Sequence, residues 1–475
     1  GDGFVIARLL QKKGWSVEVW FYGDLAKQPP DAAVNAARWA EMGAIAPLTD
    51  DARPELAGHH VVIDALFGTG LRRPLNDLGR VLRDICDCVD AGSGLPLADR
   101  LRHWPPVVAV DVPSGLCADS GRVLADADFA TRGGSRAACA VADLTISFHA
   151  RKRGHLLGGG PKCCGTLVCA DIGLEQSSTT QSSDRVYEAS ANGAQFRPQG
   201  HKYSHGHALV IAGGVGKGGA ARLAARGALR MGAGAVTLAC PQAALIENAA
   251  QLNAVMLRPV KDGGALSQML EEIRCNAFCI GPGLGLGAEQ AAMVTALLEF
   301  TRSKTADRRS VVLDADALTL LARDPALFGL LHDRCILTPH AGEFARLFPD
   351  LAEKLDAPAD TGPAYSKIDA VREAARRTGC VVIFKGADTV IAVPDGRCRI
   401  NAAAYDQAAP WLATAGAGDV LAGFIAGGLA RGFAPLHAVE AAAWLHLRCA
   451  LSFGPGLIAE DLPEALPEVF RSLAL

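Results

Sequence analysis

Short apolar runs bounded by Gly, Pro and Asp recur along the chain: Val61 to Ala65, Val107 to Val112, Leu144 to Phe148, Ala208 to Ala212, Ala235 to Cys240, Val311 to Leu313, Ile336 to Thr338 and Val381 to Phe384. Between many of them lie Ala/Leu/Arg-rich segments with helical period. Together they predict βα units and mostly parallel sheets, with helices covering the strands. Two such sheets are required by the number and spread of the runs. The predicted class is therefore α/β.

From Glu175 to about Gly200 the composition turns to Ser, Thr, Gln and Asn with little apolar content, which predicts a linker. The chain then divides into a domain over 1–173, a linker over 174–200 and a domain over 201–475. Two stretches, Asp90 to Pro106 and Gly115 to Ala140, are rich in Gly, Asp and Arg and lack periodicity, so they read as long surface insertions.

Composition narrows the function classes. A chain of 475 residues with 50% hydrophobic residues and a formal net charge of -3 reads as a soluble globular protein acting on a small molecule, with no electrostatic bias toward nucleic acid. The 14 cysteines form no metal-ligand framework: Cys86 and Cys88 are one residue apart, Cys163 and Cys164 are adjacent, and no CxxC pair occurs. They are expected to be reduced and packed, and Cys275 and Cys279 read as core residues. No apolar stretch is long enough for a membrane span. A cytoplasmic protein is expected. The chain opens Gly1-Asp2-Gly3 and runs straight into an amphipathic pattern, so its start, and any targeting peptide, are expected upstream.

The strongest motif is TAGAGDVLAGFIAGGLARG, Thr414 to Gly432, in which glycines with small neighbours lead into an apolar helix. Amide groups of Gly416, Ala417 and Gly418 at such a helix start would attract phosphate oxygens. Asp419 falls in the first turn, where a carboxylate could equally be a simple cap. Other segments favour a site. KGADT, Lys385 to Thr389, follows one strand; TPHAGEF, Thr338 to Phe344, carries His340 and Glu343 past another; GPGLG, Gly281 to Gly285, follows a strand ending at Ile280. All lie beyond the carboxyl ends of predicted parallel strands, where ligands bind in open α/β sheets. Asp314 and Asp316 in VVLDADAL read more simply as strand-end carboxylates that cap the next helix.

In order, GHALVIAGG, GKGGAARLAARGALRMGAGAV, CIGPGLG, VVLDADAL, ILTPHAGEFARLF, VVIFKGADTVI and ATAGAGDVLAG make the second half resemble the nucleotide-dependent NAD(P)H-hydrate dehydratases of the ribokinase-like superfamily. The resemblance implies repair of NADHX and NADPHX, nicotinamide cofactors hydrated at C6, driven by ADP or ATP with Mg²⁺. It implies Asp419 as the catalytic base, Lys385, Gly386, Ala387, Asp388, Thr389 and Gly418 as nucleotide contacts, and Ala220, Gly283, His340 and Asp419 as contacts to the hydrated cofactor. The loop departs from the family's ATGGTGDVL form at Ala415 and Ala417, both small.

In the first half, VVIDALFGTGLRRPL, VVAVDVPSGL, the opening GDGFVIARLL, ADLTISFHARKRGHLL and GTLVCADIG resemble an NAD(P)HX epimerase domain of Rossmann-like three-layer architecture, which in many bacteria is fused to the dehydratase. The resemblance implies that Gly68, Thr69, Gly70, Leu71, Arg72, Arg73 and Pro74 contact the substrate diphosphate. It also implies Asp111 as the acid-base residue and Asp64 with Ser114 as oxygen ligands to K⁺. Of the family's NNGGDG loop only Gly1-Asp2-Gly3 is present, so epimerase activity is expected of a chain that also carries the asparagines. A homo-oligomer is expected. Two alternatives stay open: a small-molecule kinase of the same superfamily, and a first domain that binds without catalysing.

Overall fold

A computed structural model describes the chain except residues 93, 95–103, 127–137, 175–184, 192, 198, 273, 304–308 and 474–475. It divides into two compact units. The first comprises Gly1–Thr180 together with Asp356–Ser366, and the second Gln181–Leu355 together with Lys367–Leu475.

The first unit contains strands β1 (Val19–Phe21), β2 (Ile45–Pro47), β3 (Val62–Asp64), β4 (Val107–Val110), β5 (Leu144–Phe148) and β6 (Thr166–Ala170). All pair in parallel: β1 with β2 in a sheet of their own, and β3-β4-β5-β6 in a four-stranded sheet in chain order. Helices Asp2–Lys12 and Pro30–Ala40 bury Phe4, Ala7, Ala36 and Trp39 against one another. Helix Gly79–Gly92 covers the four-stranded sheet with Val81, Leu82 and Ile85 in a core that also holds Leu71, Leu75 and Leu124.

The reading of Gly115 to Ala140 as a surface insertion is wrong for the residues that are described. Leu116, Cys117, Ser120, Leu124, Ala138, Cys139 and Ala140 are all buried. Close backbone approach achieves this: Leu116 bridges Val123, and a Cβ on Gly115 or Gly121 would lie 2.1 Å from Ala138 O or 2.0 Å from Leu157 O. Both glycines have positive φ, so the chain folds inward without apolar periodicity. Of the other proposed insertion, Asp90 to Gly92 ends the Gly79–Gly92 helix, and 95–103 lies outside the described residues.

The second unit is built on a ten-stranded sheet ordered β10-β9-β8-β11-β12-β13-β14-β15-β16-β7. Its strands are β7 (Val186–Glu188), β8 (His207–Ile211), β9 (Ala235–Cys240), β10 (Met256–Pro259), β11 (Ala277–Ile280), β12 (Ser310–Leu313), β13 (Cys335–Leu337), β14 (Val381–Phe384), β15 (Asp388–Ala392) and β16 (Cys398–Ala402). Pairing is parallel from β10 to β14, while β14-β15-β16 is an antiparallel meander. The proposed linker over 174–200 is shorter than expected, because β7 within it joins β16 as the outermost strand. Backbone pairing at a sheet edge needs no apolar signature, so composition does not reveal it.

Helix Ala417–Ala430 is buried along nearly its whole length. Gly423 and Gly427, one turn apart, let it press against helix Gly218–Arg230: a Cβ there would lie 2.1 Å from Ala224 O or 2.6 Å from Ala228 O. This close packing fixes the direction in which the helix start points. None of the fourteen cysteines forms a disulfide, and Cys169 is the exposed one among them. Among the described residues no helix is long and apolar enough to cross a membrane.

Candidate active sites

In the second unit, β8, β11, β12, β13 and β14 are neighbours in the sheet. The segments marked in the sequence leave their carboxyl ends and converge. Gly281 needs its missing side chain because a Cβ would lie 1.8 Å from Asp314 O, and Gly213 approaches Gly283 O in the same way at 1.9 Å. A Cβ on Gly283 would come within 3.6 Å of the Ala220 Cβ, so these two predicted contacts to the hydrated cofactor adjoin each other. The amide of Lys385 donates to Pro339 O at 2.8 Å, which ties the KGADT segment to the TPHAGEF loop.

His340 is exposed and caps helix Ala341–Leu347: its Nδ1 accepts from the Gly342 amide at 3.0 Å, and its own amide donates to Glu343 Oε2 at 2.8 Å. His340 Nε2 lies 3.4 Å from Glu343 Oε1. Glu343 is buried and leads inward to Lys385, whose Nζ is 3.8 Å from Glu343 Oε2 and 2.8 Å from Asp314 Oδ1. Asp314, also buried, accepts in addition from Thr338 Oγ1 at 2.6 Å. The Lys385 ammonium lies 3.4 Å from where a Cβ on Gly418 would stand. Lys385, Gly418 and the TPH loop thus meet in one place.

Asp419 occupies the first turn of the Ala417–Ala430 helix, behind Gly416 in the left-handed conformation. Its carboxyl is pushed up from 3.8 to about 7, first by burial and then by the negative charge of Asp314; Lys385 opposes this, and Glu343 and Asp316 add to it. Burial alone would pull Lys385 down, but Asp314 and Glu343 outweigh it and its value ends raised. At neutral pH the site therefore holds a charged lysine beside a carboxylate poised to gain or lose a proton.

The remaining predicted contacts are placed less openly. Gly386 and Thr389 close a turn, Thr389 Oγ1 donating to Gly386 O at 2.8 Å. Ala387 O accepts from the Ala403 amide at 2.6 Å. Asp388 begins β15 and is paired with Lys367 at 2.8 Å. Asp314 was set aside as a cap, yet its side chain binds Lys385 and Thr338. Asp316 reaches the Gly285 amide at 2.7 Å instead.

In the first unit, Asp111 follows β4 and sits at φ 67°, a left-handed conformation that Asp tolerates better than most residues. Lys152 Nζ is 2.6 Å from Asp111 Oδ1 and donates to Ser147 Oγ at 2.9 Å. The Lys152 amide donates to His155 Nδ1 at 3.0 Å, so the proton is on Nε2, which donates to Asp111 O at 2.9 Å. His155 is fully buried, and burial lowers its value, keeping it neutral. Lys152 was not singled out in the sequence, where it is the middle of the run Arg151–Arg153.

A Cβ on Gly68 would lie 3.5 Å from Asp111 Oδ2, so the Gly68 to Pro74 loop starts beside that carboxylate. Thr69, Gly70, Arg72 and Arg73 are exposed, whereas Leu71 is buried, leaving only its backbone for a ligand. Arg73 donates to Tyr22 Oη at 2.6 Å and lies 3.4 Å from Asp77. Asp64 is buried; it accepts from Ser114 Oγ at 2.6 Å and from the Ser114 amide at 2.8 Å, and burial raises its carboxyl.

Two family profiles match in sequence: NAD(P)H-hydrate dehydratase over residues 208–467 and YjeF-related protein N-terminus over 1–154. The chain belongs to the NAD(P)H-hydrate dehydratase family. It is 32% identical over 501 residues to the bifunctional NAD(P)H-hydrate repair enzyme of Moorella thermoacetica, covering 100% of this chain and 86% of that protein. Likeness to the repair enzyme of Vibrio cholerae is 32% over 485 residues, covering 99% and 86%. A ribokinase-like superfamily protein from Enterococcus faecalis superposes with a TM-score of 0.51 at 22% identity, over 63% of this chain and 99% of that one, and so shares the fold. The chain is an enzyme of NAD(P)H-hydrate repair, with a dehydratase part and an epimerase part.

Proposed function

We propose that the second unit dehydrates (6S)-NAD(P)HX by phosphorylating its C6 hydroxyl, with Asp419 as the base. The observation that carries this reading is the half-buried Asp419 carboxyl, raised to about 7, in the first turn of a helix whose start at Gly418 lies beside the Lys385 ammonium. Hydroxide leaves poorly. Asp419 takes the hydroxyl proton as the oxygen attacks the outermost phosphorus of ADP or ATP; the nucleotide departs as AMP or ADP, and the C6 oxygen now carries phosphate. Lys385 and the amides of Gly416 to Gly418 hold the phosphoryl oxygens as charge moves. Phosphate then leaves C6 with the bonding electrons, a proton is lost from C5, and the dihydropyridine is restored. Ala220, Gly283 and His340 would line the hydrated ring.

Mg²⁺ accompanies such nucleotides, but among the described residues no group of three or more His, Cys, Asp or Glu could hold a metal. Asp314 and Glu343 are paired with Lys385. Among the described residues the ion therefore has no protein cage of its own.

In the first unit Asp111 and Lys152 form the acid-base pair for interconverting the C6 epimers, which matters because the dehydratase takes only the S form. Asp64 and Ser114 offer hard oxygens at a buried position, which suits a K⁺ ion bound near the substrate. The Gly68 to Pro74 loop would receive the diphosphate through backbone amides and Arg72.

The test is recovery of reduced-nicotinamide absorbance from S-NADHX on adding ADP or ATP with Mg²⁺. Absence of recovery, with a sugar or hydroxymethylpyrimidine phosphorylated instead, would establish a kinase.

A further inference from the structure

We propose that Asp356–Ser366, a stretch lying within the span matched by the dehydratase profile, is a working part of the first unit's site: a strap that holds the Arg72 arm of the Gly68 to Pro74 loop in place for the substrate diphosphate. The proposal rests on reading that loop as the diphosphate binder.

The chain leaves helix Pro349–Asp356, runs through Ala357-Pro358-Ala359-Asp360-Thr361-Gly362-Pro363-Ala364-Tyr365-Ser366, and re-enters the second unit at helix Lys367–Thr378. Small residues and two prolines keep this stretch narrow and limit its freedom before it docks.

Its contacts centre on the loop and on the turn that supports it. The Gly362 amide donates to Arg72 O at 3.0 Å, and Arg72 Nη1 donates back to Gly362 O at 3.4 Å. The Ala125 amide donates to Ala359 O at 3.0 Å. Arg122 donates to Tyr365 O at 3.4 Å and also to Ala357 O. Ala359 and Ala364 are buried in the same core as Leu71, Leu75 and Leu124.

Gly362 is the contact with no slack. A Cβ there would stand 2.8 Å from Leu71 O and 3.2 Å from Arg72 Cα, so any side chain pushes the loop's own backbone. Elsewhere the loop is fixed by the buried Leu71 side chain and by Arg73 on Tyr22 and Asp77. Arg72 is otherwise exposed, and the strap decides where its backbone and guanidinium stand. When a diphosphate binds, the guanidinium exchanges one carbonyl for phosphate oxygens while the Gly362 amide still holds the backbone.

The experiment uses the full chain, preceded by the asparagines of the NNGGDG loop and carrying Gly362→Val, with Gly362→Ala as a milder intrusion and Arg72→Ala alongside. Amide hydrogen exchange of residues 68–74 is expected to quicken in proportion to side-chain size. The KM for epimerisation of NADPHX is expected to rise by about tenfold in Gly362→Val, the usual scale of an overpacking strain, with kcat changed less. Dehydration of the S epimer is expected to keep its rate. Combining Gly362→Val with Arg72→Ala should give less than the product of the single effects. Unchanged exchange in Gly362→Val, or an unchanged epimerisation KM where Arg72→Ala raises it, overturns the strap. If Arg72→Ala itself leaves that KM unchanged, the diphosphate reading of the loop is what has failed.

Discussion

Lys385 Nζ stands 2.8 Å from Asp314 Oδ1, and this buried ion pair sets the electrical surroundings of Asp419. Burial pushes the Asp419 carboxyl up most, Asp314 adds to that push, and Lys385 pulls it down. The balance leaves Asp419 near neutrality, where a general base transfers protons most effectively.

The first prediction concerns pH. The active form of Asp419 is the carboxylate, so kcat/KM for dehydration, which reports groups of the free enzyme, should rise with pH through about 7 and then level. Asp314→Asn removes a neighbouring negative charge and should move that acid limb to lower pH, whereas Lys385→Met should move it higher. A limb that stays near 7 in both variants would assign the ionisation to another group. Asp419→Asn itself should bind nucleotide normally and lose roughly 10²- to 10⁴-fold in rate.

A second prediction separates the two activities. Lys152 Nζ is 2.6 Å from Asp111 Oδ1 and also donates to Ser147 Oγ and Phe148 O, so it holds the carboxylate in position as well as charging the site. In a chain that also carries the asparagines of the NNGGDG loop, Lys152→Met should slow epimerisation by roughly 10²-fold or more and leave dehydration of the S epimer at its ordinary rate. Following R-NADHX and S-NADHX separately on a chiral column reads both outcomes in one experiment, and equal slowing of both would point to misfolding.

The apolar runs read from the sequence all became strands; those of the second unit are buried throughout, whereas the apolar residues of β3 and β5 are only part-buried. What lacked an apolar run went unseen. β1, β2 and β7 are three-residue strands, and β10 is exposed along much of its length. Gly115 to Leu124 buries itself through glycine contacts that leave no periodic trace. The motif-bearing loops were legible because Gly, His, Lys and Asp stand at strand ends. Asp314 was legible only as a carboxylate: whether it caps a helix or pairs with Lys385 depends on a lysine 71 positions away. Lys152 lies in a basic run where sequence gives no reason to choose the middle residue. Asp356–Ser366 sits deep in the second half of the chain, and only tertiary packing reveals its place in the first unit.

A third prediction tests how the nucleotide loop is supported. Lys367 Nζ pairs with Asp388 Oδ1 at 2.8 Å, lies 3.5 Å from Lys385 O, and stands 4.2 Å from the centroid of the Phe384 ring. It clamps both ends of the Lys385 to Asp388 segment from beneath. Lys367→Met removes the cation from a part-buried ion pair and should lower stability. In protein that remains folded, the nucleotide KM should rise with little change in kcat, and Lys367→Arg should restore most of it. A fall in kcat at constant KM would show that Lys367 acts on the chemistry instead.

The same shift that prepares Asp419 for catalysis should weaken the fold. A carboxyl at 3.8 when unfolded and about 7 when folded takes up protons on folding. Its stabilising contribution is complete below 3.8 and is lost as pH rises through 7, where the ionised group sits half-buried among other carboxylates. Asp419→Asn has no charge to lose. The variant should therefore unfold at a higher temperature than the parent at pH 8. The difference should shrink steadily as pH falls toward 4. Scanning calorimetry across that range reads the sign directly: a constant difference would mean that the substitution acts through packing and not through ionisation. The expected slope would show that activity at this site is bought with stability.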